Sequence, residues 1–370
     1  MTPAGFVPPP YPYDRLVPVR EVAARHDGGA IDLSIGTPCD DPPPAVVEAL
    51  CTSGSERGYP PSIGTQAFRA AAAGWLDRRL GVTVDPGSEL AACVGTKELV
   101  AGVPAWLGLR SPGRDTVLYP EISYPTYAMG ATLAGMRAVP IPLDGAWRMD
   151  LGSIDPADAS RAVCLWANVP GNPTGALDDL DRIAEWGRTH DVPVLSDECY
   201  VEFTWAGPPR TILSSGTRGV LAVHSLSKRS NLAGARAGFY AGDAELVGYL
   251  SEVRKHVGLM VPGPVQAAAA AALGDDAHVD AQRERYQRRL GALVDVLGAV
   301  GVPSSMPEGA FYLWVPAPDG DAWGLVRHLA STLGVVVSPG EFYGPSGSGH
   351  VRVAAVATDD RIAELTSRVP

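Results

Sequence analysis

The sequence predicts an α/β protein, with a large domain on a mostly parallel sheet and a smaller α+β domain closing over it. Three observations predict it. Short apolar runs alternate with helical spacing between Gly64 and Ala241. The texture changes to longer helical patterns after Ala244. The chain has 370 residues, more than the ~150 typical of one domain. Short buried strands alternating with helices imply a parallel sheet covered on both faces.

Residues 1–30, rich in Pro and aromatic residues such as Pro8, Pro9, Pro10, Tyr11 and Tyr13, are expected to form an extended arm. Such an arm has little to bury against within its own subunit. The large domain is expected over 31–258, its first residues packing on the small domain. Phe68, Ala72, Trp75 and Leu76 recur at helical spacing and stop at Gly81. The apolar stretch Leu90–Val94 precedes Gly95-Thr96 and a helical pattern from Lys97. Further strand-like runs fall at Val117–Tyr119, Ala138–Ile141, Ala162–Trp166, Pro193–Leu195, Val220–Val223 and Gly238–Ala241, with a helical pattern at Leu177–Arg188. The small domain is expected over 259–370. Helical patterns at Ala244–Val257 and Val279–Leu297 flank the broken segment Met260–Pro264. Ala310–Val315, a helix near Trp323–Leu333, Val335–Ser338 and Val351–Ala355 complete it.

Composition excludes several classes of function. Hydrophobic residues make up 46% and charged residues 19%, which supplies a core and argues against disorder. A net charge of −11 repels phosphate backbones and anionic lipid, so neither nucleic acid nor a membrane is an expected partner. No apolar run reaches the ~20 residues that cross a bilayer. No basic residue precedes Arg15 to begin a secretory signal. Five scattered cysteines without a C-x-x-C pair suggest reduced thiols in a cytoplasm, with no disulfide framework and no metal site.

In an open parallel sheet, ligands bind at the carboxyl ends of the strands. The polar residues that directly follow the apolar runs are Gly95-Thr96-Lys97, Tyr124, Asn172, Asp197 with Tyr200, and Ser225, Ser227 and Lys228. A single Lys after a strand is most simply a solvated charge. Lys228, however, is flanked by small hydroxyl residues, and Arg236 follows between Gly234 and Gly238. Glycines admit close backbone approach and Arg offers a fork for phosphate, so the combination reads as an anion cradle beside a reactive amine. Asp197 alone could be a helix cap, and Asn168–Gly175 alone could be a turn.

Taken in order, these motifs resemble the pyridoxal-phosphate-dependent aminotransferases of fold type I, class I/II. The matching segments are Asn168–Gly175 (N-x-P-x-N-P-T-G), Asp197–Tyr200 (D-x-x-Y), Ser225–Lys228 (S-x-S-K) and Gly234–Gly238 (G-x-R-x-G), with Tyr124–Tyr127, Gly58-Tyr59 and Arg352. The resemblance implies a seven-stranded, mostly parallel sheet and a homodimer with shared active sites. It implies that Lys228 links covalently to the cofactor aldehyde and later moves a proton. Asp197 would face the pyridine nitrogen and favour its protonated form. Asn172 and Tyr200 would bond the phenolic oxygen, and Tyr124 would stack on the ring. Gly95, Thr96 and Lys97 backbone N–H groups, Ser225, Ser227 and Arg236 would hold the phosphate. Arg352 would grip the substrate α-carboxylate, Gly36 would lie over the substrate, and Tyr59 would reach the partner subunit's phosphate. Val169 separates Asn168 from Pro170, a departure from many relatives that leaves Asn168 outside the expected site.

Local wording narrows the resemblance to actinobacterial N-succinyldiaminopimelate aminotransferases. It rests on Val220–Lys228, Gly95–Leu99, Val253–Gly258, Val261–Gln266, Ile31–Pro38 and Pro339–Pro345. That implies exchange of an amino group between glutamate and N-succinyl-2-amino-6-oxopimelate, in lysine and diaminopimelate synthesis. Such a substrate carries a distal carboxylate, for which Lys97 and residues near Met260–Pro264 are candidate partners. Rival readings are another amino-acid aminotransferase, a β-lyase, and a regulator carrying an aminotransferase-like domain. A nicotinamide dehydrogenase would need G-x-G-x-x-G opening a helix after a strand. The Gly344–Gly349 cluster sits late in the chain and reads as a loop.

Overall fold

The computed structural model describes residues 5–369. Its strands are β1 (Ile31–Asp32), β2 (Leu90–Cys93), β3 (Thr116–Pro120), β4 (Arg137–Ile141), β5 (Ala162–Asn168), β6 (Val194–Asp197), β7 (Val220–Ser225), β8 (Gly238–Gly242), β9 (Tyr312–Pro316), β10 (Val335–Val336), β11 (Ser338–Pro339) and β12 (His350–Ala354). Seven of them form one sheet in the order β2-β8-β7-β6-β5-β3-β4. Only β8 runs antiparallel to its neighbours. Strands β5, β6 and β7 are buried along almost their whole length, as continuous apolar runs in a doubly covered sheet should be.

Each face of this sheet has its own core. Phe68, Trp75 and Leu76 of the helix Gln66–Leu80 pack on one side, together with Phe239 and Leu165. Leu99, Val103 and Leu107 of the helix Thr96–Arg110 pack on the other, with Trp166 and Tyr240. Thr65 caps the first of these helices by accepting the Phe68 amide, and Gly81, at φ +67, ends it where the sequence placed its stop.

A three-stranded antiparallel sheet, β11-β12-β9, carries the third core. Its residues come from Tyr286–Leu365, from the amino-terminal Leu16, Val19, Ala23, Ile31 and Leu33, and from Ile122, Tyr200 and Phe203. The expectation of an arm without partners in its own subunit is therefore corrected. Two short helices, Pro12–Leu16 and Val17–Ala23, bury Leu16 and Ala23 completely against the carboxyl-terminal elements, because Leu16, Val19 and Ala23 share one face. β1 then pairs parallel with β10 and fixes the entry into Ser34–Gly36. Met260–Pro264 is less of a break than expected: Pro262 leads into a helix, Gly263–Gly274, whose proline lies in the first turn where no amide partner is needed. Val335–Ser338 is divided between β10 and β11, which belong to different sheets.

Candidate active site

The register of the large sheet brings the scattered motifs to one edge. Asn168 pairs with Asp197, and Asp197 with Val223, so the ends of β5, β6 and β7 lie side by side. Cys93, Gly238 and Ser225 also sit in register across β2, β8 and β7. That alignment sets Gly95-Thr96, Ser225-Leu226-Ser227 and Arg236 around one point.

At this point the backbone is shaped for close approach. Gly95 has φ +68, and a Cβ there would overlap the Arg236 guanidinium. The helix Thr96–Arg110 begins directly after it, offering free amides and a positive dipole end. Glu98 in its first turn would oppose an anion, but it is held by two bonds of 2.7 and 2.8 Å from Arg254. Arg254 is fully buried, so this pair braces the helix start. Ser225 accepts the Ser227 amide at 3.1 Å, which opens the short turn bearing Lys228. Lys97 is exposed.

Deeper in the site, Asp197 is 6% exposed. Its carboxylate accepts the Tyr127 hydroxyl at 2.9 Å and the Cys199 amide at 3.2 Å. Burial pushes its carboxyl above the usual carboxylate range, and these hydrogen bonds pull it back. Lys228 donates to the Gly36 carbonyl. Burial, with Arg352 and Arg236 adding to it, lowers the Lys228 amine to about 8. Gly36 is required here because a Cβ would overlap the Tyr312 hydroxyl. Tyr124 stands edge-on to Tyr127.

Arg352, 2% exposed, forms the opposite end. It donates to Asn172 Oδ1 at 2.8 Å and to the Ser34 carbonyl at 2.6 Å. Its guanidinium lies 4.2 Å from the ring centre of Tyr312 and 4.7 Å from that of Tyr343. The Tyr13 hydroxyl, from the amino-terminal segment, bonds Tyr343 at 2.9 Å and Arg352 at 3.4 Å. Tyr200 shares a 2.8 Å bond with Tyr312.

The expected residues from Gly36, Gly95–Lys97, Tyr124, Asn172, Asp197, Tyr200, Ser225–Lys228, Arg236 and Arg352 thus gather around one edge of the sheet. Tyr59 does not join them in its own chain and is 97% exposed. Asn168, left outside the expected site, bridges two of its members: it accepts the Asn172 amide at 2.7 Å and donates to the Asp197 carbonyl at 2.9 Å. Sequence reasoning also missed Tyr127, although the second Tyr of the Tyr124–Tyr127 motif was a signal for it. Tyr13, Tyr312 and Tyr343 carried no local signal.

These features fit the cofactor that the sequence resemblance implies: a half-buried lysine whose amine points into the site, a buried carboxylate facing the same space, and a glycine-and-arginine cradle at a helix start. The family model "Aminotransferase class I and II" matches residues 29–369. The 4-dedimethylamino-4-oxo-anhydrotetracycline transaminase OxyQ of Streptomyces rimosus is 45% identical over 98% of this chain and 99% of its own. An LL-diaminopimelate aminotransferase of Gloeobacter violaceus is 33% identical over 98% of this chain and 95% of its own. A solved structure described as a "probable N-succinyldiaminopimelate aminotransferase" of Thermus thermophilus superposes with TM-score 0.85 at 30% identity, covering 96% of this chain and 98% of that one.

Proposed function

The chain belongs to the class I and II aminotransferases, which depend on pyridoxal phosphate, and we propose that it moves an amino group between glutamate and N-succinyl-2-amino-6-oxopimelate. One observation carries the reading of an α-amino or α-keto acid substrate. Arg352, a planar guanidinium already buried and oriented by Asn172 and Ser34, faces the same space as Lys228 and suits a carboxylate. The diaminopimelate acceptor is supported by the names of the Gloeobacter and Thermus relatives.

When bound, pyridoxal phosphate supplies an aldehyde that takes up an amino group and a ring that draws electrons from the α-carbon. The chain's residues do the rest. Lys228 would tether the aldehyde and, as a free amine, would move the proton at the α-carbon; its lowered affinity for protons suits it to both tasks. Asp197, held by Tyr127 and Cys199, would retain a proton on the ring nitrogen by charge. Asn172 and Tyr200 would hold the phenolic oxygen, and Tyr124 would cover the ring. Gly95, Thr96, Lys97, Ser225, Ser227 and Arg236 would hold the phosphate. Arg352 orients the α-carboxylate, and Gly36 closes the near side. Lys97 and the Met260–Pro264 segment would take the distal carboxylate. We read the working form as a cytoplasmic homodimer, in which the exposed Tyr59 reaches the partner subunit's phosphate. Among the described residues, no helix is long and apolar enough to cross a membrane.

A second reading has its own support: the 45% identity to a transaminase named for a tetracyclic ketone, and the tyrosines gathered at Arg352. Flat aromatic walls suit a ring-bearing acceptor. A panel assay with glutamate as donor separates the two. The succinylated keto acid is expected to give the highest kcat/KM. A ring-bearing ketone outpacing it would favour the second reading, and turnover of neither would overturn both.

A further inference from the structure

Asp197 and Lys228 each have a chain neighbour that points away from the site. Glu198 and Arg229 turn to the rear, into a small, tightly packed pocket lined also by Trp75, Glu202, His224 and Phe239. Glu202 is fully compensated there: it takes the Trp75 ring N–H at 2.7 Å and Arg79 at 3.0 Å, with Arg229 at 3.4 Å. Glu198 and His224 are not. Glu198, 0% exposed, accepts the Ile212 amide on Oε1 at 2.8 Å and has the Ser196 and Thr211 hydroxyls beside its carboxyl, but among the described residues no well-aligned hydrogen bond reaches Oε2. His224, 3% exposed, has neither ring nitrogen bonded, and its Nε2 lies 3.5 Å from that same Oε2. Its ring is enclosed by Trp75 and Phe239, at 4.9 and 5.0 Å.

A buried carboxyl and a buried imidazole facing one another can satisfy both atoms with a single proton between them, leaving the Ser196 and Thr211 hydroxyls as further donors to the carboxyl. We propose that Glu198 and His224 share a single proton, held on the Glu198 carboxyl and donated to His224 Nε2, and that this neutral pair acts as a positioning element behind Asp197. Two facts favour that placement of the proton over an ion pair. Burial raises the Glu198 carboxyl to about 7 and lowers the His224 imidazole to about 3, so below about pH 7 both prefer their uncharged forms. The charges facing the pair are Asp197 in front and Arg229 behind, with Glu202 and Arg79 beyond it and the Cys199 thiol beside them. An ionised Glu198 would add a like charge one residue from Asp197, whereas an imidazolium would add one facing Arg229.

The consequence for the site is that, below about pH 7, Asp197 stays the one ionised acid at the end of β6. The Ile212–Glu198–His224 chain fixes the backbone turn that aims it. The inference rests on the reading of Asp197 as the cofactor-facing carboxylate only for its effect on cofactor binding; the protonation state can be read without it. In apoprotein labelled with 15N-histidine, His224 is expected to keep neutral-ring shifts from about pH 6 to pH 8, the range in which free imidazoles titrate, with any small change near pH 7 marking loss of the Glu198 proton and no charge gained by the ring. An imidazolium signal at pH 7 would overturn the proposal. Glu198→Gln, which keeps shape and a neutral donor, is expected to bind cofactor within about twofold of the native protein. Glu198→Leu is expected to weaken it about tenfold, as loss of a buried polar link does. Glu198→Gln as damaged as Glu198→Leu would show that an ionised carboxylate is required. Equal affinity in all three proteins would show that the pair positions nothing. Failure of Glu198→Leu to fold beside a folded Glu198→Gln would count in favour. A normal NMR result with no cofactor binding by native protein would fault the reading of Asp197 instead.

Discussion

The two ends of the site are built in different ways. The end assigned to phosphate comes from three short chain segments, Gly95–Lys97, Ser225–Lys228 and Gly234–Gly238, aligned by the register of β2, β8 and β7. Backbone amides and a helix start do most of the work there, and Lys97 and Arg236 remain exposed. The end assigned to carboxylate is a buried network of side chains. Arg352 meets Asn172, Ser34, Tyr13, Tyr312 and Tyr343, and Tyr13 and Tyr343 lie 330 positions apart. A cradle for a resident group can be local and rigid. A grip for a substrate that enters and leaves is assembled from several elements, among them the amino-terminal helices, so its geometry depends on how those elements pack.

The sharpest break in this comparison lies between the ends. Lys228→Ala removes the group both ends serve, and turnover is expected to fall at least about 1,000-fold, in line with loss of a covalent and general-base residue. The visible band of the bound cofactor should disappear with it, and steady-state assay with absorbance spectroscopy checks both. Next in size, Arg352→Ala is expected to raise KM for amino and keto acids about 100-fold, as loss of a charge-assisted pair to a buried carboxylate does. Cofactor affinity should stay near native, and fluorescence titration separates the two effects. A large loss of cofactor affinity would mean that the ends are not distinct.

Arg236→Ala is the mirror experiment. Cofactor dissociation is expected to rise about tenfold, less than for a buried partner because Arg236 is exposed and screened, with substrate KM little changed. The smallest effect is expected for Tyr13→Phe, which loses the 2.9 Å bond to Tyr343 and the long 3.4 Å bond from Arg352 and should raise substrate KM about threefold. An acidity test crosses both ends. With the Lys228 amine at about 8, its neutral, nucleophilic form is scarce below that pH and predominates above it. Capture of added cofactor by apoprotein, followed at the visible band, is therefore expected to accelerate as pH rises through about 8. A rate that falls over that range would contradict the lysine environment described.

The same contrast explains what could be read from the sequence. Strand ends followed by Lys228, Asp197 and Gly95 were legible because each couples an apolar run to a polar turn within a few residues. The helix stop at Gly81 and the span Ala244–Val257 were legible for similar local reasons. Tyr13 was read as part of an unburied arm because its partners lie at the far end of the chain. Tyr127 was overlooked because its contact, 70 positions away in Asp197, forms only when its helix packs on the sheet, and Asn168 was set aside because Val169 departs from the usual motif, although sheet register brings it to Asp197. The Glu198–His224 pair was invisible because its meaning lies in what each side chain faces after folding.

The central claim is that the Lys228 amine carries the cofactor. Borohydride reduction of freshly purified holoprotein followed by tryptic mass analysis tests it directly. The account expects the peptide containing Lys228 to carry the reduced pyridoxyl phosphate adduct. Recovery of that peptide at its unmodified mass, or an adduct on another lysine, would contradict it.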